Sequence, residues 1–251
     1  MNQHIASSAK IGANTVLGVN IVILDDVRIG ENCQIGHNVV IHAGCEIGNN
    51  VRVDDNTIIG KAPLSSPRSI FKLPEGLKPT VIGDGCQIGA NVVIYMQCEI
   101  GPRNLIADLA TLRENVVIGE LNIIGRGVSI ENFVTIGSRN KFETNCYITA
   151  YSQIDDYCFV APCVATSNDN YMARDPERFK HFKGVTLERG ARIGVNATIL
   201  PGKVLAEDAC VAGGAVISRD VPAGMIVLGS PAKPLREVPE EQLLKNNLDK
   251  S

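Results

Sequence analysis

An aliphatic or aromatic residue returns at every sixth position through most of this chain. Between Val81 and Val160 the pattern has no gap, and its members there are Ile82, Ile88, Ile94, Ile100, Ile106, Leu112, Ile118, Ile124, Ile130, Ile136, Phe142, Ile148, Ile154 and Val160. The same pattern also runs from Ile5 to Ile59 and from Leu187 to Ile217. A helix has a period of 3.6 and a two-sided strand a period of 2, so a strict six indicates a repeat architecture.

The polar and small positions complete the repeat. The residue two places before the aliphatic is mostly small or β-branched, as at Cys86, Val92 and Ala110, and glycine often follows the aliphatic. A short strand with two inward side chains and a tight turn fits this pattern. The sequence therefore predicts an all-β fold, a parallel solenoid.

Repeats such as Ile35-Gly36-His37-Asn38-Val39-Val40 resemble those of the hexapeptide-repeat acyltransferase family. The resemblance implies a left-handed parallel β-helix of three hexads per coil, with about ten coils. It also implies acyl-CoA as co-substrate and a homotrimer whose active sites lie between subunits.

Two segments break the pattern, and we expect loop insertions near 61–80 and 166–185. Such loops often carry the binding groups of a repeat protein. The first contains Ser65, Ser66 and Arg68, which could bind a phosphate or a nucleotide base. We expect a β-helix domain over 1–235, followed by a short helical tail over 236–251 that caps the open end.

Composition narrows the class of protein. The net charge is −3 and 45% of the residues are hydrophobic, as expected for one soluble domain without a nucleic-acid partner. No apolar run approaches the length of a membrane span, and no leader peptide is recognised, so we expect a cytoplasmic protein. We expect seven of the eight cysteines, Cys210 among them, to be buried, reduced thiols at the small inward position; Cys163 stands outside the repeat.

One region breaks the rule that glycine follows the aliphatic residue. Around Arg113, two carboxylates stand six residues apart, at Asp108 and Glu114. With 18 residues per coil, Arg126 stacks on Asp108 and Asn132 stacks on Glu114. Local irregularity in a regular repeat points to function, so we predict catalytic roles for both carboxylates.

The resemblance becomes more specific in three segments, 107–114, 145–150 and the loop 168–171 that closes on 182–184. They resemble bacterial N-acyltransferases acting on nucleotide-linked amino sugars, dTDP-linked 3-amino- or 4-amino-dideoxyhexoses in particular. This implies transfer of an acetyl or longer acyl group to the amine of a dTDP- or UDP-linked sugar, in the synthesis of a surface glycan such as lipopolysaccharide. The predicted substrate-binding residues are Ser65, Ser66, Arg68, Arg113, Arg126, Asn132, Tyr147, Asn168 and Asn170.

The Gly-Ser-Pro-Ala-Lys segment at 229–233 resembles the C-terminal signature of the family. By that resemblance, acyl-CoA lies in a groove near the last coils, where small residues admit the pantetheine arm and basic residues meet the phosphates. The predicted cofactor-binding residues are Arg192, Gly194, Ala212, Gly213, Lys233 and Arg236; no permanently bound cofactor is expected.

Amide formation from a thioester needs a route for the proton of the attacking amine. Three routes remain open: Asp108 with Glu114, His181 on the second loop, and the departing CoA thiolate itself. The stretch 82–160 contains no histidine, which favours an amine over a hydroxyl acceptor, since related O-acetyltransferases use a histidine base.

Two further alternatives stay open. Segment 35–42, with His37 and His42, resembles the coils of gamma-class carbonic anhydrases, which hold zinc on three histidines. No third histidine stands at the required spacing, so we predict no metal site. A non-catalytic scaffold would not need two basic inserted loops or the C-terminal signature.

Overall fold

The computed structural model describes residues 3–64, 66 and 78–248. Its strands, numbered in chain order, form three parallel sheets that run side by side along the molecule, and these sheets are the three faces of a prism. The predicted left-handed parallel β-helix is confirmed. Each face has ten or more strands, so the solenoid is slightly longer than the ten coils expected.

Face A has eleven strands: β1 (His4–Ile5), β4 (Val22–Ile23), β7 (Val40–Ile41), β10 (Ile58–Lys61), β13 (Val93–Tyr95), β16 (Thr111–Leu112), β19 (Ser129–Ile130), β22 (Tyr147–Ile148), β25 (Ala165–Thr166), β28 (Thr198–Ile199) and β31 (Val216–Ile217). Face B has ten: β2 (Lys10–Ile11), β5 (Arg28–Ile29), β8 (Glu46–Ile47), β11 (Val81–Ile82), β14 (Glu99–Ile100), β17 (Val117–Ile118), β20 (Thr135–Ile136), β23 (Gln153–Ile154), β26 (Thr186–Leu187) and β29 (Val204–Leu205). Face C has twelve: β3 (Val16–Leu17), β6 (Gln34–Ile35), β9 (Arg52–Val53), β12 (Gln87–Ile88), β15 (Leu105–Ile106), β18 (Ile123–Ile124), β21 (Lys141–Phe142), β24 (Phe159–Val160), β27 (Arg192–Ile193), β30 (Cys210–Val211), β32 (Met225–Leu228) and β33 (Lys233–Glu237).

The register follows the repeat. Leu112 of β16 pairs with Ile130 of β19, 18 residues later, and the same spacing recurs along the uninterrupted coils. Each coil therefore passes once over faces A, B and C and places its repeat aliphatic residue directly on that of the previous coil. Because those side chains point inward, they form one continuous core, in which Ile124 and Phe142 are fully buried.

The turns between faces are tight and need special backbone geometry. Many carry asparagine in the left-handed region, as at Asn38 (φ 56°), since its short polar side chain tolerates that conformation. Glycine is required where coils touch: a Cβ on Gly89 would lie 2.4 Å from Oδ1 of Asp108 in the next coil. The pattern of small residues thus reflects coil stacking.

Six of the cysteines predicted to be inward are buried, and all eight are free thiols. The prediction was wrong for Cys210. That residue lies one place before Val211, not two, so it points outward on face C and is half-buried.

Both predicted insertions leave the solenoid at the corner between faces A and B. The first follows β10, which includes Lys61, and the second follows β25, whose Thr166 is still buried in the coil. The second insertion contains a 3₁₀ helix, Pro176–Lys180.

At the far end, β33 turns back antiparallel to β32. The tail then forms two 3₁₀ turns, Glu240–Gln242 and Leu244–Asn246. Asp208 anchors the tail by accepting the Leu244 amide hydrogen at 3.0 Å. The division into a domain over 1–235 and a separate tail stays a prediction. Among the described residues, no helix has the length and apolar character needed to span a membrane.

Candidate functional site

The corner between faces A and B carries a row of polar side chains, one from each successive coil. In order they are Lys61, Tyr95, Arg113, Glu131 and Thr149. The first insertion leaves this corner right after Lys61, and the second leaves it one coil after Thr149. We call these five residues the corner row. The corner row therefore runs from the base of the first inserted loop towards the base of the second.

Arg113 is the centre of the row. Its Nε and Nη2 atoms donate to the two carboxylate oxygens of Glu114 at 2.9 and 3.1 Å. Its Nη1 atom lies 3.5 Å from Oε2 of Glu131 on the next coil. The Glu114 side chain is only 8% exposed, so this charge is buried and depends on its bidentate partner. One cation thus holds two carboxylates from adjacent coils.

The Glu131 carboxylate is partly buried, with 25% of its side chain exposed. Burial raises its pKa above the usual glutamate value; the nearby Glu114 charge acts in the same direction, and Arg113 opposes both. The Tyr147 hydroxyl interacts with Glu131 and Thr149. Burial, and to a smaller extent the Glu131 charge, raises the pKa of Tyr147. Tyr147 is among the substrate-binding residues predicted from the sequence, whereas Glu131 is not.

Tyr95 separates two cations. The Lys61 Nζ atom lies 4.5 Å from the Tyr95 ring centre, and the Arg113 guanidinium carbon lies 4.9 Å from it. Lys61 Nζ also contacts the Tyr95 hydroxyl at 3.4 Å. The electron-rich face of the ring attracts both cations.

Asn132 brings an unused donor to the same corner. It lies one coil from Glu114, is 4% exposed, and its Nδ2 atom has no hydrogen-bond partner among the described residues. A buried amide donor without a partner carries a desolvation cost that a bound oxygen would remove. Beside it, the Phe133 and Tyr151 rings stack in parallel, with ring centres 5.4 Å apart. Burial, and to a smaller extent the Glu114 charge, raises the pKa of Tyr151.

Asp108 and Arg126 lie at a different corner, between faces C and A. Asp108 is exposed, and its Oδ1 atom accepts the backbone hydrogen of Ala90 at 2.9 Å. Asp156 makes the same contact to Ser138 in a later coil, so the contact is a recurrent feature of the solenoid. The structure does not bring Asp108 or Arg126 together with Glu114 and Arg113.

His181, Asn168 and Asn170 lie on the second insertion. The His181 ring is exposed and packs on Tyr171, with ring centres 5.7 Å apart. Asn168 is half-buried and Asn170 is exposed. An ion pair between Asp169 and Arg178 at 2.9 Å closes this loop on itself.

The candidates on the first insertion lie mostly outside the described residues, which include neither Ser65 nor Arg68. Ser66 is described and exposed.

The predicted donor site divides between face C and an adjoining corner. Arg192 pairs across the sheet with Cys210, Cys210 with Ile226, and Ile226 with Arg236, so the two arginines lie on one outward row. Lys233 lies on the same exposed strand, β33. Gly194, Ala212 and Gly213 lie in turns between faces C and A. A Cβ on Gly194 would lie 2.6 Å from the Gly213 nitrogen, so coil stacking alone accounts for Gly194.

Face C carries two adjoining cavities beneath the tail. The larger, of about 520 Å³, is lined by Ile123, Arg139, Phe159 and other residues of this face. The smaller, of about 270 Å³, is lined by Arg192 and shares Tyr157, Leu244 and Asn247 with the first. The Nε and Nη2 atoms of half-buried Arg192 are shielded from solvent and have no partner among the described residues, which leaves two unused donors for an anion. The acidic residues Asp208 and Glu241 line the same cavity.

His37, considered above as a zinc ligand, accepts the Val19 amide hydrogen through Nδ1 at 3.0 Å. Its ring therefore has a structural contact at a coil corner. Within the described ranges, no group of three histidine, cysteine or carboxylate residues could hold a metal ion.

Comparisons with known proteins agree with this architecture. The family "Bacterial transferase hexapeptide (six repeats)" matches residues 8–43, 26–61 and 79–114. A 2,3,4,5-tetrahydropyridine-2,6-dicarboxylate N-acetyltransferase of Staphylococcus aureus is 42% identical over 64 residues, which are 26% of this chain and 27% of that protein. This chain thus spans about a quarter of the length of the curated relatives it matches.

Two solved acyltransferase structures are similar to this chain, and the first of them shares its fold. LpxA, a UDP-N-acetylglucosamine acyltransferase from Bacteroides fragilis, superposes with a TM-score of 0.54 at 20% identity, over 94% of this chain and 73% of that one. A UDP-N-acetylglucosamine acyltransferase from Francisella novicida gives a TM-score of 0.49 at 20% identity, over 98% and 71%. The six-residue period and the three-faced coils are thus similar to those of hexapeptide-repeat proteins, whose family model matches the repeats within 8–61 and 79–114.

Proposed function

We propose that this protein transfers an acetyl or longer acyl group from acyl-CoA to the amine of a nucleotide-linked amino sugar. One observation carries the proposal: the cluster of Glu114, Arg113 and Glu131 lies at the corner from which both insertions leave. The N-acetyltransferase activity named for the Staphylococcus aureus relative supports transfer to nitrogen.

The reaction forms one bond and breaks another. The amine nitrogen attacks the thioester carbonyl carbon, the carbon–sulfur bond breaks, and the nitrogen loses one proton. Glu131 is our choice for the proton acceptor, because burial moves its pKa towards neutral pH, where a carboxylate is a more effective base. Glu114 holds Arg113 in place. His181 and the CoA thiolate remain rival acceptors.

Negative charge develops on the thioester oxygen during attack, and a positioned hydrogen-bond donor stabilises it. Our choice for this donor is Asn132, whose Nδ2 atom has no hydrogen-bond partner among the described residues. Tyr147, Asn168 and Asn170 complete the proposed acceptor site, with the loop residues Ser65, Ser66 and Arg68 as its outer part.

The donor would lie on face C, where the unpartnered Arg192 side chain offers an anion site. Arg236 lies further along the same row, and Lys233 lies on the same strand. The phosphates of acyl-CoA suit these cations.

A homotrimer would bring the two sites together, since the corner row and the face C cavities lie on different parts of one prism. From Val22 to Val216, the residue before the repeat aliphatic is uncharged in every face A strand, and Lys61 at the end of β10 is the one charged residue of these described strands. Face B presents Lys10, Arg28, Glu46 and Glu99. A flat, uncharged face favours burial against another subunit.

A hydroxyl acceptor is the second candidate function, and His42 favours it. This residue stands beside Lys61 at the A–B corner. Burial, and to a smaller extent the Lys61 charge, lowers the pKa of His42, so the ring is neutral at neutral pH and can accept a proton. His42→Asn would abolish O-transfer by such a base and leave N-transfer at Glu131 intact.

The test is acetyl-CoA-dependent release of free thiol with a panel of dTDP- and UDP-linked 3-amino and 4-amino hexoses. Serine and chloramphenicol serve as hydroxyl acceptors. Turnover confined to amino sugars supports the proposal, and turnover confined to hydroxyl acceptors favours the second candidate.

A further inference from the structure

Lys61 differs from the other cation of the corner row. Arg113 contacts two carboxylates, whereas no carboxylate among the described residues lies within 4 Å of Lys61. The Lys61 side chain is half-buried, and its ammonium group rests on the Tyr95 ring. A half-buried cation that is held over an aromatic ring, with no carboxylate partner among the described residues, can bind an anion from outside the chain.

The position of Lys61 is fixed by the fold. It ends β10, pairs with Tyr95 across the sheet, and its carbonyl oxygen accepts the Met96 amide hydrogen at 3.0 Å. The first insertion starts at the next residue. Lys61 is therefore a rigid anchor at the base of a loop rather than a mobile surface lysine.

The spacing along the row fits a diphosphate sugar. Three strand steps separate Lys61 from Glu131, which is about 14 Å between their backbones at an inter-strand spacing of about 4.8 Å. The two side chains shorten this span and leave a gap comparable to one sugar ring. Tyr95 and Arg113 form the floor between them.

We infer that the acceptor lies along the corner row, with its diphosphate on Lys61 and its amine at Glu131. This assignment rests on the proposed function, because it takes a nucleotide-linked amino sugar as the acceptor. It adds a phosphate subsite at Lys61 and a direction for the bound substrate, from the first insertion towards the second.

Binding of thymidine diphosphate and uridine diphosphate, measured by titration calorimetry, tests the subsite without any turnover. Lys61→Met removes the charge and keeps the aliphatic stem, Lys61→Arg keeps the charge, and Lys10→Met is the matched control on exposed β2. We expect the Kd for the preferred nucleotide to rise about tenfold or more in Lys61→Met only, since a charge-assisted hydrogen bond is lost. In turnover assays, KM for the amino sugar rises likewise and kcat stays at the wild-type level.

CoA and the unphosphorylated nucleoside serve as further ligands. We expect Lys61→Met to bind both as wild type does. Three results would overturn the subsite. Lys61→Met could bind the diphosphates as tightly as wild type, it could lose affinity for CoA instead, or the wild type could fail to bind either diphosphate. Diphosphate binding through Lys61 without acyl transfer to any amino sugar would retain the subsite and reject the proposed reaction.

Discussion

A carboxylate oxygen of Glu131 lies 3.5 Å from Nη1 of Arg113, although a full coil of the chain separates the two residues. Arg113 also binds Glu114 in bidentate fashion, so one cation serves two carboxylates. Glu131 has the longer contact and the more open position, with 25% of its side chain exposed against 8% for Glu114. In our account, Glu131 exchanges a proton with substrate and Glu114 keeps Arg113 oriented.

Replacing Glu131 by glutamine should lower kcat by roughly 10²-fold or more, because a positioned general base contributes about 10²- to 10⁴-fold. Rates of acetyl transfer with saturating acetyl-CoA measure this. Asp108→Asn and Asp156→Asn are matched controls, since each replaces a carboxylate that caps a turn and an amide oxygen can accept the same hydrogen bond. A loss of turnover in Asp108→Asn equal to that in Glu131→Gln would contradict this assignment of roles.

The raised pKa of Glu131 predicts how stability depends on pH. Well below the usual glutamate value of 4.5, Glu131 is protonated in both folded and unfolded chains. As the pH rises through 4.5 towards the higher folded pKa, the folded chain binds more protons, so wild-type stability falls relative to Glu131→Gln. Urea unfolding of both proteins between about pH 4 and pH 7 measures the difference. A difference that is flat, or that changes with the opposite sign, would show that Glu131 is not desolvated.

The pairing of Arg113 with Glu114 can be tested by a double-mutant cycle. Arg113→Met leaves the Glu114 charge buried without its partner and should reduce the free energy of unfolding by about 2 to 3 kcal/mol. This is less than the roughly 3 to 5 kcal/mol for breaking a fully buried pair, because Arg113 is partly exposed. Adding Glu114→Gln removes that charge and should recover part of the loss. Additive effects in urea denaturation would mean that the two side chains do not interact.

The sequence predicted the fold because the repeat is local: each hexad specifies one inward aliphatic residue, one small residue and one turn. It also selected Arg113 and Glu114 as candidate site residues, since they stand where the Ile-Gly rule fails. Glu131 carries the same signal, since it follows Ile130 in place of glycine, 18 residues after Arg113. Asp108 was selected because sequence shows charge but not burial, and only the structure separates an exposed turn cap from a buried carboxylate.

Thiol reactivity should follow burial. Burial raises the pKa of Cys98, Cys146 and Cys158 to about 12, so these groups are protonated and shielded at neutral pH. Cys163 is exposed and should react with an aromatic disulfide reagent in the folded protein, whereas the buried thiols react only after unfolding. Cys163→Ser should remove the fast phase. Half-buried Cys210 is expected to react more slowly than Cys163. If a fast phase persists in Cys163→Ser, the coils open enough to expose buried thiols.

The unpartnered guanidinium of Arg192 predicts a role in donor binding. Arg192→Met should weaken CoA binding by about tenfold, as for the loss of a charge-assisted hydrogen bond. Calorimetry with CoA and with dephosphorylated pantetheine separates phosphate recognition from pantetheine contacts. Arg52→Met on the same face is the control, since Arg52 already has Asp54 as its partner. Equal CoA affinity in wild type and Arg192→Met would remove Arg192 from the donor site.

The most direct test of the account is mass-spectrometric detection of acyl transfer from labelled acetyl-CoA to the amine of a dTDP- or UDP-linked amino sugar, with wild type and Glu131→Gln compared side by side. The account predicts a labelled amide on one amino sugar with wild type and a greatly reduced yield with Glu131→Gln. Absence of any labelled amide across the panel, with acetyl-CoA and a longer acyl-CoA, would contradict it.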